Sequence, residues 1–160
     1  MIQRVQSIFL AVIAILMAAC TGFNYWQKAA LDGSSKIYLS AIGKAVFEQG
    51  NEAASLQYFP FTFVAILALL SCGLAIYEIF QYKNRLLQLK LGALNSLFMG
   101  ATLVLMVVFI NQNEDLMDPG KRVLPGIAFY MPVIAMVLNI IANRFIRKDE
   151  KLVRSADRMR

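Results

Sequence analysis

The stretch LGALNSLFMGATLVLMVVFI, residues 91–110, decides the fold class of this chain. It is free of charge, and at about 1.5 Å per residue it is long enough to cross the hydrocarbon core of a bilayer as a helix. Three other apolar runs, at about 7–26, 59–80 and 124–143, are of similar length. We therefore predict an all-α membrane protein, a single domain of four transmembrane helices spanning residues 1–160.

The composition supports this class and argues against common enzyme chemistries. The chain is 59% hydrophobic and 16% charged, whereas soluble domains are about 45–50% apolar. It contains no histidine, so it lacks the commonest general base and the usual haem, copper and zinc ligand. With no metal-ligand cluster and no convincing nucleophile–base pair, we expect a protein that is not an enzyme and uses no cofactor or metal.

Segments rich in Lys and Arg alternate along the chain with segments that are poor in them. Arg4, the connection 81–90 and the tail 144–160 together carry eleven of the sixteen Lys and Arg residues. The connections 27–57 and 111–123 carry the other five, together with six acids. By the positive-inside rule, both termini and the connection 81–90 are cytoplasmic.

The long outer connection, 27–57, is expected to fold outside the membrane. Turn-forming residues at 32–35 and 49–51 bracket two stretches, 36–42 and 44–48, that are rich in β-branched and aromatic residues and flank Gly43. They predict a small extramembrane β-hairpin, to which a strand at 56–58 could be added. The hairpin either covers the helix ends or offers a surface to a partner.

Two apolar runs carry small residues at every fourth position, a spacing that lets helix backbones approach closely. These are Ala14, Ala18 and Gly22 in the first run and Gly92, Ser96 and Gly100 in the third. We predict a tight helix crossing at each stripe, with contact between the two stripes as one arrangement.

Polar groups also interrupt the apolar runs. Glu78, Asn95 and Asn139 all fall toward the inner half of the predicted bundle. An acid in a spanning helix is a candidate functional group, although Glu78 lies about one turn from the interface, where nearby cations could pair with it. In the fourth run, Pro132 frees one backbone carbonyl and should bend the helix. This intramembrane polar cluster either fixes the bundle by interhelical hydrogen bonds or forms a substrate or proton path.

The two cysteines, Cys20 and Cys72, lie inside apolar runs at different depths, so we predict that they are unpaired. Residues 16–20, LMAAC, also look like the cleavage site of a lipoprotein signal, which would make Cys20 a lipidated first residue. The apolar run continues beyond Cys20, which favours an uncleaved helix.

The tail, RFIRKDEKLVRSADRMR at 144–160, has two faces when it is drawn as a helix. The basic sector holds Arg144, Arg147, Lys151, Arg154 and Arg158, and the apolar stripe holds Phe145, Leu152, Ala156 and Met159. We predict a cytoplasmic amphipathic helix that contacts lipid headgroups or a protein partner. The interspersed acids Asp149, Glu150 and Asp157 argue against nucleic acid.

The closing residues 147–160, RKDEKLVRSADRMR, and the opening residues 1–6, MIQRVQ, resemble a Bacteroidetes membrane-protein family, domain of unknown function 4293. The resemblance extends over the whole chain, in its four apolar runs, long first outer loop and short inner loop. It implies a multi-pass protein of the bacterial inner membrane. It brings no activity, cofactor or catalytic residue.

These observations lead to two hypotheses about function. The first is a non-enzymatic accessory or scaffold subunit of a larger inner-membrane assembly, in contact with membrane lipids and with other membrane-protein subunits or a second copy of itself. The alternative is a small oligomeric transporter or channel for an ion or lipid-like molecule, which would use Glu78, Asn95 and Asn139.

Overall fold

The computed structural model describes residues 2–29, 35–48, 55–82, 84–114 and 124–158, and the side chains of 6–28, 36–47, 55–82, 84–113 and 125–152. These residues form four helices and five strands. The helices are α1 (Ile2–Cys20), α2 (Thr62–Phe80), α3 (Arg85–Glu114) and α4 (Ile127–Arg158). The strands are β1 (Asn24–Ala29), β2 (Ser35–Ser40), β3 (Lys44–Glu48), β4 (Ser55–Gln57) and β5 (Leu124–Pro125).

Three of the helices are long and apolar enough to cross a membrane, through Thr62–Phe80, Arg85–Asn113 and Ile127–Leu152. The apolar part of α1, Gln6–Cys20, is shorter. It measures about 22 Å at 1.5 Å per residue, against about 30 Å of hydrocarbon. The prediction that the first helix continues to Trp26 is wrong, because the chain turns at Thr21 and Gly22 and then pairs as β1.

Each helix packs against two others. α1 contacts α2 and α4, and α3 contacts the same two helices, so α1 and α3 occupy opposite corners of a four-helix bundle. Buried residues alternate in steps of three and four along each helix, the seven-residue repeat typical of left-handed packing. In α3 this inward stripe is Gln88, Gly92, Asn95, Met99, Thr102, Met106, Phe109 and Asn113.

The same repeat explains which small residues reach a helix crossing. Ala14 is buried, but Ala18 and Gly22 are exposed, so the crossing predicted for them is wrong within one copy of the chain. Steps of four residues drift by about 40° around a helix, whereas the inward stripe of α1 follows the seven-residue repeat. The two small-residue stripes do not lie against each other, because α1 and α3 are at opposite corners.

The strands form one antiparallel sheet in the order β4-β3-β2-β1-β5. β2 and β3 confirm the predicted hairpin, and β4 adds the further strand close to the predicted position. β1 and β5 are additions that the sequence did not predict. Gly126 lets the start of α4 approach β1: its N–H donates to the Tyr25 carbonyl at 2.8 Å, and a Cβ there would overlap the carbonyl of Asn24.

The sheet and the helix ends share one apolar core. Tyr25, Trp26 and Leu39 are buried on the sheet side, against Phe61 of the α2 entry and Phe109 of α3. The rings of Phe61 and Phe109 have centroids 4.8 Å apart. A second core lies deeper in the bundle, where large residues of α1 pack against alanines of α2 and α4. The sheet is therefore fixed to the bundle by packing.

A cysteine satisfies the carbonyl that the helix proline leaves free. Pro132 lies inside α4 and cannot donate to the carbonyl of Ala128, four residues earlier. The Cys20 thiol donates to that carbonyl at 3.5 Å. Cys20 is buried, Cys72 is half-buried, and both are free thiols, as predicted.

The tail continues α4 as helix to Arg158. Phe145 stacks on Phe9 of α1 with ring centroids 5.9 Å apart, while Leu152 of the same predicted stripe is exposed. Arg144, Arg147 and Lys151 are exposed. The side chains of Arg154, Ala156, Arg158 and Met159 fall outside the described part of the chain.

Candidate functional site

The inward stripes become polar at the end of the bundle where α2 ends and α3 begins. We call the following residues the polar cluster: Gln6, Ser71, Glu78, Gln88, Gly92, Asn95, Ser96, Asn139 and Asn143. They come from all four helices, and most are buried. The cluster therefore interrupts the apolar core at one end of the bundle, where Leu10, Ala75 and Ala142 are also buried.

The two predicted asparagines hold different helix pairs together. The Ser71 hydroxyl donates to Asn95 Oδ1 at 2.5 Å and joins α2 to α3. Asn139 Nδ2 donates to the Gly92 carbonyl at 2.7 Å and to Ser96 Oγ at 2.8 Å, and so joins α4 to α3. Asn95 and Asn139 therefore make no hydrogen bond to each other: Asn95 bonds to α2, and Asn139 bonds to α3.

Gly92 makes room for a second asparagine of α4. A Cβ at position 92 would overlap the side-chain amide of Asn143. The predicted stripe of α3 thus has a function at Gly92 and Ser96, which receive polar groups from α4. Gly100, by contrast, has no atom within 4 Å of where a Cβ would be.

Glu78 is the acidic residue of the polar cluster, and its carboxylate makes no hydrogen bond to the described residues. Its side chain is 0% exposed, and neither carboxylate oxygen has a hydrogen-bond partner among the described residues. Its backbone carbonyl, in contrast, accepts from Gln88 Nε2 at 3.3 Å and from the N–H of Gln81 at 3.2 Å. The backbone carbonyl of Glu78 is therefore hydrogen-bonded, whereas its carboxylate has no hydrogen-bond partner among the described residues.

Arg85 is one of the cations near Glu78 in the sequence, but it does not pair with Glu78. Arg85 Nη1 lies 3.1 Å from Asp149 Oδ2 and forms an ion pair between α3 and the extension of α4. Glu78 is on the inward stripe of α2, whereas Arg85 reaches across to α4 at the edge of the bundle. Lys83, the other neighbouring cation in the sequence, lies outside the described residues.

Four further side-chain atoms of the polar cluster lack a hydrogen-bond partner among the described residues, and Asn143 Oδ1 is one of them. The other three are Gln6 Nε2, Asn95 Nδ2 and Asn139 Oδ1, and all four atoms are buried. Buried polar atoms are nearly always hydrogen-bonded in proteins, to protein groups or to ordered water. The cluster therefore has donor and acceptor capacity beyond what its own helices use.

Sequence reasoning did not identify Gln6 and Gln88, since polar residues at the edge of an apolar run look like solvated ones. A signal was present, however. Both residues fall in the same seven-residue repeat as the buried apolar positions of α1 and α3.

The opposite end of the bundle has a polar tie of its own. Lys44 Nζ of β3 donates to Asn113 Oδ1 of α3 at 2.8 Å, and Asn113 Nδ2 donates to the Phe109 carbonyl at 2.7 Å. Burial lowers the pKa of Lys44. This contact fixes the sheet to the end of α3.

The chemistry of the described residues gives no metal centre. Within the ranges given above, no group of three or more His, Cys, Asp or Glu side chains is close enough to hold a metal ion. The polar cluster contains a single carboxylate, and its other polar side chains are amides and hydroxyls.

Comparison with known proteins gives a family and no activity. A family model described as domain of unknown function (DUF4293) matches residues 2–159. No curated protein matches the chain. The match extends over nearly the whole sequence, including the residues of the polar cluster, the sheet and α4. The chain therefore belongs to the DUF4293 family.

Proposed function

We propose that this protein is a non-enzymatic, multi-pass subunit of the bacterial inner membrane that acts as an accessory or scaffold component of a larger membrane assembly. The observation that carries the proposal is the edge of the sheet at β4, which no described strand covers. β4 is the last strand of the sheet order, and all three of its residues are exposed. Leu56, at its centre, is 59% exposed.

An edge strand offers a row of backbone donors and acceptors, to which an extended segment of another protein can add as a further strand. Exposed apolar residues lie in β4, directly after it and in the neighbouring β2–β3 turn. They are Ile42, Leu56 and Tyr58. The partner expected here is therefore an extended, partly apolar segment of another membrane or periplasmic protein.

Membrane lipid is the competing contact for part of this surface. Tyr58 and Phe59 lie next to the start of α2, a position where aromatic side chains also meet headgroups. Leu56 lies in β4 itself, in the strand that would pair with a partner. It is therefore the residue that tests partner binding.

The proposal includes the orientation of the chain. Four crossings with both termini cytoplasmic place the sheet on the periplasmic side and the extension of α4 on the cytoplasmic side. The charge distribution supports this orientation. The exposed Arg144, Arg147 and Lys151 would then contact anionic headgroups or a cytoplasmic partner.

A photo-crosslinking amino acid placed at Leu56 in cells tests the scaffold role. We expect a discrete adduct with another protein at Leu56, and none from the same amino acid at Val104, which is 61% exposed on α3. The adduct should disappear when Gln57 is replaced by proline, because Gln57 pairs with Lys44 of β3 and proline there should detach β4 from the sheet. If the amino acid at Leu56 crosslinks only to lipid or to another copy of this chain, and to no other protein, the proposal is refuted.

A second candidate, the oligomeric transporter, is favoured by the unpartnered acid Glu78. Four helices leave little room for a pore in one copy, so this function requires several copies. It predicts ion flux into proteoliposomes that Glu78→Gln and Asn139→Leu abolish while assembly stays intact. Loss of a crosslinked partner in the same variants, without any flux in the wild type, would favour the scaffold.

A further inference from the structure

We infer that the carboxylate of Glu78 is the binding site of a small monovalent cation, a proton or a sodium ion, which enters from the α2–α3 end of the bundle. This inference goes beyond the scaffold role and does not depend on it. Binding without flux suits an accessory subunit, and binding with flux suits a transporter.

The first support is the cost of leaving this acid alone. Removing an ionised carboxylate from water without a partner is strongly unfavourable. Glu78 is 0% exposed, and neither of its oxygens accepts a hydrogen bond from a described residue. The folded bundle is therefore far more stable when a positive charge neutralises this acid.

The second support comes from the groups on the other helices at this end. On α3, Gln88 uses its amide N–H on the backbone carbonyl of Glu78, and Arg85 is paired with Asp149 of α4. On α1, Gln6 is buried, uncharged and has an unpartnered Nε2. Within the described residues, the side chains that α1, α3 and α4 place inward here supply no positive charge to Glu78, and the side chains of Arg4 and Lys83 lie outside that part of the chain.

The third support is the nature of the available ligands. The Glu78 carboxylate itself supplies two unpartnered oxygens, and elsewhere in the polar cluster the Oδ1 atoms of Asn139 and Asn143 also have no partner among the described residues. Hard oxygen ligands suit hard cations. A single carboxylate balances a single charge, and its full enclosure excludes a bulky organic cation. Glu78 lies two residues before the end of α2, which sets the shortest route from solvent.

Labelling with dicyclohexylcarbodiimide, an apolar reagent that modifies protonated carboxyl groups, tests the site in the purified full-length protein in mild detergent. In sodium-free buffer we expect one adduct, mapped to Glu78 by mass spectrometry and absent from Glu78→Gln. A water-soluble carbodiimide serves as the control, because it should modify exposed acids and leave Glu78 unmodified.

Two titrations separate the cations. If sodium binds, NaCl should slow the labelling by about tenfold or more relative to the same concentration of choline chloride, since a carboxylate that holds sodium holds no proton. If only a proton binds, the rate should be insensitive to NaCl and should fall with rising pH. Labelling of Glu78 that responds to neither ion would overturn the inference.

Thermal unfolding provides a readout that does not depend on reagent access. Saturating cation should raise the Tm of the wild type, because a ligand that binds only the folded state stabilises it. In Glu78→Gln the same cation should not raise the Tm beyond the unspecific effect of the added salt. Equal shifts in the two proteins would refute the site even if the scaffold test at Leu56 succeeded.

Discussion

At the residue scale, Gly92 shows how one missing side chain shapes the polar cluster. Its carbonyl accepts from Asn139, and the space above its Cα holds the amide of Asn143. Gly100 is the natural comparison, because it lies on the same helix and the same stripe with open space around it. Comparing alanine substitutions at Gly92 and Gly100 therefore separates the effect of helix propensity from the effect of packing.

Replacing each glycine by alanine should have different effects on stability. Gly100→Ala should stabilise the protein by about 0.5–1 kcal/mol, the usual gain inside a helix. Gly92→Ala should be less stable than Gly100→Ala by about 1–3 kcal/mol, because its Cβ displaces a buried amide. Thermal unfolding in detergent, followed by circular dichroism, measures both, and equal Tm shifts would show that Asn143 does not depend on the gap at Gly92.

The intramembrane polar residues could be identified from the sequence, but their hydrogen-bond partners could not. Glu78, Asn95 and Asn139 stand out because each interrupts an apolar run, and that is a local property. The partners of Asn95 and Asn139 lie 24 to 47 residues away in the chain. The isolation of Glu78 is equally non-local, since it depends on Arg85 being drawn to Asp149.

At the element scale, the contact between Lys44 and Asn113 fixes β3 to the end of α3. The bond joins a cation to an amide oxygen that is almost completely buried. Such a bond contributes more than one between two exposed groups, because its loss leaves the buried Asn113 oxygen unpaired. Lys36 of β2 is an exposed lysine in the same sheet and provides the matched control.

Lys44→Met should destabilise the protein by about 1 kcal/mol, which lowers the Tm by about 2–4 °C for a chain of this size. Lys36→Met makes the same chemical change at an exposed position and should stay within about 0.5 kcal/mol of the wild type. Amide exchange in β2 and β3 should also become faster in Lys44→Met alone. A similar effect of both variants would mean that the contact contributes nothing specific.

The elements themselves divide into those that local pattern predicts and those that it does not. The hairpin of β2 and β3 was predicted because its strands are adjacent and rich in β-branched and aromatic residues. β1 was assigned to a helix end, because Tyr25 and Trp26 also fit the aromatic belt of a membrane interface. Their place in a strand depends on partners in β2 and β5, and β5 is distant in sequence.

At the scale of the whole molecule, the orientation of the chain can be tested by reporter fusions. Alkaline phosphatase, which is active only in the periplasm, should be active when fused at Asn51 and inactive when fused at Arg160. A fusion at Asn84, in the basic connection between α2 and α3, serves as a second cytoplasmic position. Periplasmic activity at Arg160 would contradict the orientation and would move the sheet to the cytoplasmic side.

The shortness of α1 gives these fusions a further use. The apolar segment Gln6–Cys20 is shorter than the other three, and β1 follows it almost at once. If α1 crosses the membrane, the base of the sheet must lie close to the bilayer surface, so that the buried Tyr25 and Trp26 of β1 begin where the hydrocarbon ends. Activity at Asn51 but not at Asn84 would show that α1 carries the chain across the membrane and that α2 returns it. Activity at both positions would show that α2 does not return the chain to the cytoplasm.

The sequence by itself determined the number of helices, the hairpin, the charge asymmetry and the family, because these follow from hydrophobicity, charge and motifs that are properties of contiguous residues. Only the tertiary structure decided that α1 and α3 stand at opposite corners, that Cys20 serves the carbonyl freed by Pro132, and that five strands form the sheet. It also decided that Glu78 is enclosed without a partner among the described residues. Each of these depends on which distant residues meet, and burial then fixes how much an unpaired group costs.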